Sequence, residues 1–314
     1  MSFSLLLLLT LAFSAHALET DNYLTWDKTL PESADDVNAL IRSEIEEVIA
    51  TKHDLSCRQI TFRIANRFKT TPQRKLFENH LQHHIADKMY PTHPYYLRES
   101  IYRNTLRLYL SKSGLSPNLQ VNGIYFGVDK LSHFGSTGRR YLKHYLKKLK
   151  KGYSSEEAEK SAIRFGLSNE ARILGLWPSG TFSYGDMEAN YQGFLFYKSL
   201  CLDEENSYLK KEEGSWKLVK TPDIRNYVNP YWDETFNLSF RTRGMWNITS
   251  QVIRKEYCSL KESAPVQTRF QYYRGLGHTG RSLIYIEELK KSRYYQAPDP
   301  STTQSVEKLC AREN

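Results

Sequence analysis

The sequence lacks the motifs that would assign it to a common enzyme class. It has four cysteines, and no two are spaced as Cys-x-x-Cys, so a zinc ribbon or a thioredoxin-like redox site is unsupported. Gly-x-Ser-x-Gly, His-Glu-x-x-His and the phosphate-binding loop are also absent. These absences argue against the common serine hydrolases, zinc-dependent metallopeptidases and nucleoside triphosphatases.

Long apolar runs are missing everywhere except at the start of the chain. The run from Leu5 to Phe13 is too short to cross a bilayer comfortably. It ends at Ala15-His16-Ala17, which matches the small-residue pattern of a signal-peptide cleavage site. We therefore expect residues 1–17 to be a removed signal peptide, the mature chain to be periplasmic or secreted, and no transmembrane segment to remain.

Acidic charge is in deficit, since the net charge is +9. A basic protein favours anionic partners, and for an exported chain these are lipid head groups or polysaccharides of the cell envelope rather than nucleic acid. Export also permits up to two disulfides among the four cysteines, with three connectivities open. Pairing of Cys258 with Cys310 would hold the C-terminal tail and is the pair we favour.

Hydrophobic periodicity predicts a mainly α-helical (all-α) fold, with residues 18–314 forming a single multi-helix domain. The predicted helices cover 33–52, 58–68, 71–90, 98–111, 129–150, 155–174, 249–260, 270–291 and a segment that begins at Ser183. Residues 113–122, with one glycine, one proline and two asparagines, are predicted to be a loop. One small β-hairpin is predicted around the Glu-Glu-Gly-Ser turn at 212–215.

Polar side chains recur on the first helix of a central stretch, from Gly127 to Gly193. Asp129, His133 and Arg140 fall on one face of the helix predicted over 129–150. Asp129 and His133 are one turn apart, so both can act on one ligand. Gly135 and Gly138 on the same helix indicate close approach of another backbone or of a ligand.

The next two predicted helices add further polar positions. Glu170 lies in the apolar line of Ile163 and Leu167, where a carboxylate needs a partner, a cation or a proton. Ser183 is the predicted N-cap of the third helix, with Asp186 in the capping-box position. Asn190 and Gly193 continue the face of Asp186, and Gly193 would let a neighbouring helix come near.

Together these positions form a candidate site. Asp129, His133, Glu170 and Asp186 are suited to bind a divalent metal ion such as Mg, Mn or Zn, or to perform acid–base chemistry without one. Asn190 would orient a ligand and Arg140 would clamp an anion. No cofactor other than a divalent metal is indicated.

Each of these residues also has a purely structural interpretation. Asp129 can complement the helix dipole, and His133 can be a hydrogen-bonded core histidine. Glu170 can pair with one of the nearby arginines, which are Arg139, Arg140 and Arg172. Asp186 can act only as a helix cap.

Two other polar clusters stand outside the central stretch. His80, His84 and Asp87 have helical spacing that can hold a metal, or they are a solvated face. Glu234 and Asn237, which follow Trp232 and Asp233 and are one helical turn apart, either line the same cleft as the central residues or belong to a helix N-terminus with acids in its first turn.

At the central residues the sequence resembles a known family. Asp-Lys-x-x-His-Phe at 129–134, then Glu170, then Ser-x-x-Asp-x-x-x-Asn-x-x-Gly at 183–193, is similar to the YfiM-like family of bacterial envelope proteins, which has no assigned biochemical function. The resemblance implies a core at about 121–200 and assigns Asp129, His133, Glu170, Asp186 and Asn190 to the polar positions of the family. Asn190 stands where relatives are expected to carry aspartate, which removes one charge.

Two functions remain open from sequence. One is an exported metal-dependent hydrolase that acts on an envelope lipid or polymer. The other is a non-catalytic envelope protein, which is either structural, with the same residues as a buried network, or a binder of anionic lipid or polysaccharide. Whether the chain is an enzyme is left undecided.

Overall fold

The computed structural model describes residues 19–70, 76–91, 98–105, 115–177, 179–291, 299–300 and 304–311, with the side chain of Glu78 left aside. The predicted signal peptide at 1–17 lies outside this part of the chain. The α-helices are α1 Ala34–Thr51, α2 Cys57–Arg67, α3 Leu76–His84, α4 Val128–Ser132, α5 Gly138–Leu149, α6 Ser155–Asn169, α7 Tyr184–Cys201, α8 Arg243–Val252, α9 Cys258–Lys261, α10 Ala264–Gly275, α11 Arg281–Lys290 and α12 Val306–Cys310.

The fold is mainly α-helical, as predicted, with short antiparallel strand pairs. The strands are β1 Asn118–Val121, β2 Ile124–Gly127, β3 Thr181–Phe182, β4 Leu209–Glu212, β5 Ser215–Leu218 and β6 Phe240–Arg241. β4 pairs with β5 as the predicted hairpin, and β3 pairs with β6. Among the described helices, none combines the length and apolar character that a membrane crossing needs.

The loop predicted over 113–122 is wrong where it covers 118–121. Strand β1 lies there and pairs with β2, with Val121 opposite Ile124. Asn122 and Gly123 have φ angles of 51° and 73°, which is the conformation of a tight two-residue hairpin turn. The Asn-Gly pair was a local signal for this hairpin, and the loop interpretation passed over it.

Each of the first two central helices contains one wide π-helical turn. His133–Thr137 joins α4 to α5, and Glu170–Leu174 follows α6. Both turns begin at a candidate site residue, a placement typical of functional sites. A π-helical turn takes in one additional residue, so the residues after it are rotated relative to a regular helix.

Two glycines allow α5 and α7 to cross at backbone contact. A Cβ added to Gly138 would lie 2.7 Å from the backbone of Gly193, and one added to Gly193 would lie 1.9 Å from the carbonyl oxygen of Phe134. The sequence-based expectation that these glycines permit close approach is therefore confirmed. This crossing brings the polar face of α7 against the π-helical turn that carries His133.

Two disulfides stabilise the described chain: Cys57–Cys201 joins α2 to α7, and Cys258–Cys310 joins α9 to α12. The favoured pairing of Cys258 with Cys310 is confirmed. Two structural disulfides indicate an oxidising compartment outside the cytoplasm. One continuous hydrophobic cluster connects helices from both halves of the chain, from Tyr23 to Leu309.

Three helix predictions are corrected. The helix predicted over 71–90 ends at His84, and Asp87 lies in a separate 3-10 turn, so His80, His84 and Asp87 do not share one face. Residues 98–105 of the helix predicted over 98–111 form turns, and the remainder lies outside the described residues. The helix predicted over 270–291 is interrupted after α10, where Gly277 has a φ of 63°.

Candidate functional site

Lys130 lies at the centre of a buried ion cluster. Its side chain is fully buried, and its Nζ lies 2.8 Å from Asp129 Oδ2, 2.8 Å from Asp186 Oδ1 and 2.7 Å from Glu234 Oε1. The contact with Asp186 is an ion pair without hydrogen-bond geometry. Burial by itself lowers the pKa of the Lys130 ammonium, but the three carboxylates together raise it well above its usual range.

Asp129, in the first turn of α4, is held by hydrogen bonds to both its side chain and its backbone. Its carboxylate accepts a hydrogen bond from the Thr20 hydroxyl, and its backbone N–H donates to Ser116 Oγ at 2.8 Å. Burial raises the pKa of Asp129, and Lys130 acts in the opposite direction. Asp129 is a first-turn acid of α4, as its structural interpretation has it, and its side chain is in addition buried against Lys130.

His133 connects the cluster to α7 through both ring nitrogens. Nε2 lies 3.1 Å from Asp186 Oδ2, and Nδ1 lies 3.1 Å from Asn190 Oδ1. Burial raises the pKa of Asp186, but His133 and Lys130 together bring it below its usual value. Three of the predicted residues, His133, Asp186 and Asn190, are thus in direct contact.

Glu170 completes the N-terminal cap of α7, a role that the sequence predicts for Asp186. The hydroxyl of Ser183 accepts from the backbone N–H of Asp186 at 3.0 Å, as an N-cap should. The backbone N–H of Ser183, however, donates to Glu170 Oε1 at 3.1 Å, from a different helix. Asp186 is therefore released from capping and faces Lys130 and His133.

Glu170 also has unused hydrogen-bonding capacity. Its Oε2 is buried and has no hydrogen-bond partner. Burial and the nearby Asp186 carboxylate raise the pKa of Glu170 well above its usual value, so the protonated form is favoured. Glu170 forms no hydrogen bond or ion pair with His133, and Ser183 links it to the rest of the cluster through its bond to Glu234.

Glu234 comes from the C-terminal third of the chain. Its carboxylate accepts hydrogen bonds from Ser183 Oγ at 2.7 Å and from Ser239 Oγ at 2.9 Å, in addition to Lys130. Glu234 therefore lies with the central residues, but in a buried cluster rather than on the wall of a cleft. Asn237 is not part of this cluster, since its side-chain amide donates to the backbone carbonyl of Tyr231 at 2.9 Å. Asp233 belongs elsewhere, since its carboxylate accepts from Thr235 and from Tyr273.

Glu19 adds a fifth carboxyl group near the cluster. Burial raises its pKa to about 8, with a further contribution from Glu234, while a hydrogen bond with Ser179 acts against the rise. Glu19 and Glu170 both favour the protonated form, which limits the negative charge that Lys130 must balance.

Arg140, the predicted anion clamp, lies outside the cluster. Its side chain is exposed and forms no hydrogen bond or ion pair with another described residue. The π-helical turn at 133–137 rotates α5 by about one residue position, which removes Arg140 from the face of Asp129 and His133. Burial of part of the side chain and the adjacent Arg139 lower the pKa of Arg140.

The donor set does not fit a metal ion. Among the described residues, no group of three or more His, Cys, Asp and Glu side chains is arranged to hold one. The position between Asp129, Asp186 and Glu234 is occupied by the Lys130 ammonium, which supplies the positive charge there. Asp129 and Asp186, two members of the predicted metal set, therefore contact a lysine. In the other candidate set, the rings of His80 and His84 stack on each other with 4.1 Å between their centroids.

Lys130 was the residue that sequence reasoning missed. It stands next to Asp129 in the quoted motif, and its position one turn before Phe134 places it on the buried side of the helix. A lysine on an apolar line requires acidic partners. Glu170, in the apolar line of Ile163 and Leu167, likewise requires a partner, a cation or a proton. Its most distant partner, Glu234, lies 104 residues along the chain, so the sequence offered no local sign of the contact.

Two surface grooves lie apart from these side chains. One has a volume of about 570 Å³ and is mainly apolar, with Leu176, Trp177 and Met245 in its lining. The other has a volume of about 410 Å³ and lies between α2 and α5. Neither groove includes Asp129, Lys130, His133, Glu170, Asp186, Asn190 or Glu234 among its described lining residues.

Comparison with known proteins gives no relative: no family model, no curated protein and no solved structure matches the chain. The resemblance to the YfiM-like family therefore stays a prediction.

Proposed function

We propose that this protein is a non-catalytic, exported binding protein that recognises an anionic lipid or polysaccharide of the cell envelope. Its buried ion cluster joins the helices and performs no reaction. The removal of residues 1–17 as a signal peptide and a periplasmic or secreted location are parts of this proposal. The two disulfides support it, because they require an oxidising compartment.

The observation that carries the proposal is the separation of charge between interior and surface. Among the described residues, nine buried side chains are Asp or Glu and three are Lys or Arg. The net charge of the whole chain is +9, so the remaining residues are more basic than this value indicates. A surface depleted of acids attracts anionic polymers and anionic lipid surfaces.

Exposed apolar side chains favour lipid over polysaccharide. Trp177 is 73% exposed and Ile173 is 59% exposed, and Trp177 lines the apolar groove. Arg172 and Arg243 lie beside this region in the chain and are exposed. An aromatic side chain with flanking cations is typical of proteins that rest on a membrane surface.

Sedimentation with vesicles tests the proposal. Vesicles of phosphatidylcholine, vesicles that also contain phosphatidylglycerol, and an insoluble anionic polysaccharide are each incubated with the protein at low and at high salt. We expect retention on an anionic phase that decreases as salt increases, and no retention on phosphatidylcholine alone. Absence of retention on every anionic phase at low salt would refute the proposal.

Acid–base catalysis without a metal is the second candidate. It is favoured by one observation: Glu170 has a raised pKa and an unpartnered buried oxygen, near the pair of His133 and Asp186. The test is the release of fatty acid or reducing sugar from envelope preparations by the protein and by its Glu170→Gln and His133→Asn variants. Loss of turnover in both variants, with circular dichroism showing that each variant is still folded, would favour catalysis, and absence of turnover in the unaltered protein would remove it.

A further inference from the structure

We infer that the groove between α2 and α5 is a binding site for a phosphate monoester. This inference deepens the proposed function, because it names a site and a chemical group for the anionic ligand. The groove is lined by Leu55, Arg58, Gln59, Phe62, Arg63, Asn66, Arg139 and Lys143. Four of these eight side chains are cations, and none of the described lining residues is an acid.

The two helices that form the groove contain no internal compensation for this charge. Neither α2 nor α5 includes a single Asp or Glu. Arg67, at the end of α2, pairs with Glu44 and Glu47, but no ion pair joins Arg58, Arg63, Arg139 or Lys143 to any described residue. Four unpaired cations on facing helices are a costly arrangement for a protein unless an anion binds between them.

Arg139 gives the independent sign of a missing acceptor. Its Nε is buried and has no hydrogen-bond partner. Its guanidinium lies over the ring of Phe62, with 5.8 Å between the guanidinium carbon and the ring centroid. The attraction between cation and ring favours this position of the guanidinium, and a guanidinium carries the paired donors that match two oxygens of a phosphate.

The charge and the volume of the groove indicate the ligand class. A phosphate monoester carries about −1.5 to −2 charge near neutral pH and three acceptor oxygens, which suits several converging cations better than one carboxylate does. A volume of about 410 Å³ exceeds the needs of a phosphate alone. The amides of Gln59 and Asn66 can bind hydroxyl groups, so a phosphate carried on a glycerol or sugar unit fits the site.

Titration with inorganic phosphate at constant ionic strength, followed by calorimetry, tests the site. We expect saturable binding that weakens at least about tenfold in Arg63→Gln/Arg139→Gln, since each removes a charge-assisted hydrogen bond. Arg58→Gln/Lys143→Gln alters only exposed side chains, so it tests the groove without challenging the fold. The matched control is Lys147→Gln/Lys210→Gln, which removes two exposed charges elsewhere and should change affinity by less than about twofold.

Equal weakening in the groove variants and in the control would overturn the inference, because binding would then depend on net charge alone. No saturable binding of phosphate or of glycerol phosphate would also overturn it. If the control variant binds vesicles that contain phosphatidic acid and the groove variants do not, the phosphate belongs to a lipid. If only soluble glycerol phosphate distinguishes the variants, the ligand is a free solute.

These results separate the inference from the proposed function. If anionic vesicles or polysaccharide retain the groove variants as well as the unaltered protein, and phosphate does not bind saturably, the inference about the groove is wrong and the proposed function stands. A groove that binds phosphate in a protein retained by no anionic phase would support the inference and remove the proposed function.

Discussion

Replacing Lys130 with methionine removes the one ammonium that Asp129, Asp186 and Glu234 share. Methionine has a similar length, so the expected effect comes from charge rather than from a cavity. The three carboxylates keep other partners, among them Thr20, His133 and Ser183, but lose the cation between them. Removing one partner of a buried ion pair typically costs about 3–5 kcal/mol, a large part of the roughly 5–15 kcal/mol that stabilises a domain.

The loss should also depend on pH, with a defined sign. Burial already raises the pKa of Asp129, and without Lys130 it should rise further; the pKa of Asp186 should also rise, because it loses one of the two cations that lower it. Groups with a raised folded-state pKa contribute stability below the unfolded pKa, and that contribution is lost as pH increases through the folded pKa. The deficit of Lys130→Met should therefore be smallest near about pH 4 and largest near about pH 8.

Urea unfolding followed by circular dichroism at several pH values measures this deficit. Lys147→Met, on the exposed side of α5, is the control and should stay within about 0.5 kcal/mol of the unaltered protein. Asp186→Asn should destabilise the unaltered protein but restore part of the loss in Lys130→Met, because it removes one of the unbalanced acids. A deficit that does not change with pH, or strictly additive effects of the two substitutions, would refute the assigned electrostatics.

Three further predictions concern other parts of the structure. Glu170→Gln keeps the acceptor for the backbone N–H of Ser183, but it removes a carboxyl group whose raised pKa disfavours the folded state above about pH 4.5. The substitution should therefore stabilise the protein increasingly with pH, by at most about 1.4 kcal/mol per pH unit. Chemical unfolding at acidic and neutral pH measures this, and a stability difference that does not change with pH would contradict it. Gly193→Ala forces a Cβ against the backbone of Phe134 and should lower the free energy of unfolding by more than about 2 kcal/mol. Gly244→Ala in α8 meets open space and should raise it by about 0.5–1 kcal/mol. Similar midpoints for both variants in thermal unfolding would count against the close crossing. Replacing both cysteines of Cys57–Cys201 by serine opens a loop with a sequence separation of 144 and should lower the free energy of unfolding by about 5 kcal/mol. The same change at Cys258–Cys310, with a separation of 52, should lower it by about 4 kcal/mol. Equal losses would mean that loop length does not set the stabilisation.

Local patterns predicted the parts of the fold that local patterns determine. The apolar spacing in α1 and α6 predicted helices because each buries one continuous stripe. α7 is buried on nearly every side, and it was predicted from the capping signal at Ser183. The hairpin at β4 and β5 was predicted from its strands and turn, whereas β1 and β2 were missed although Asn122-Gly123 between them is a strong turn signal.

The site was predicted in outline and wrong at its centre. Asp129, His133, Asp186 and Asn190 converge because their helices cross, and polar residues on packed faces indicated that convergence. Lys130 was not assigned, because its partners approach from three separate segments of the chain. Arg140 was assigned to the wrong face, because the sequence contains no sign of the π-helical turn that precedes it.

The origin of the residues around Lys130 has a consequence for how the chain matures. Lys130, its partner carboxylates and the groups bonded to those carboxylates span residues 20 to 239, and the set comprises Thr20, Ser116, Asp129, Asp186, Glu234 and Ser239. A chain that is synthesised from its N-terminus onward contains Lys130 long before Glu234 is added. Contacts so distant in sequence form slowly, since much of the chain must be ordered to make them. A chain that ends before residue 239 therefore cannot assemble the full set of contacts around Lys130, because Glu234 and the hydroxyl of Ser239 that binds it belong to that set.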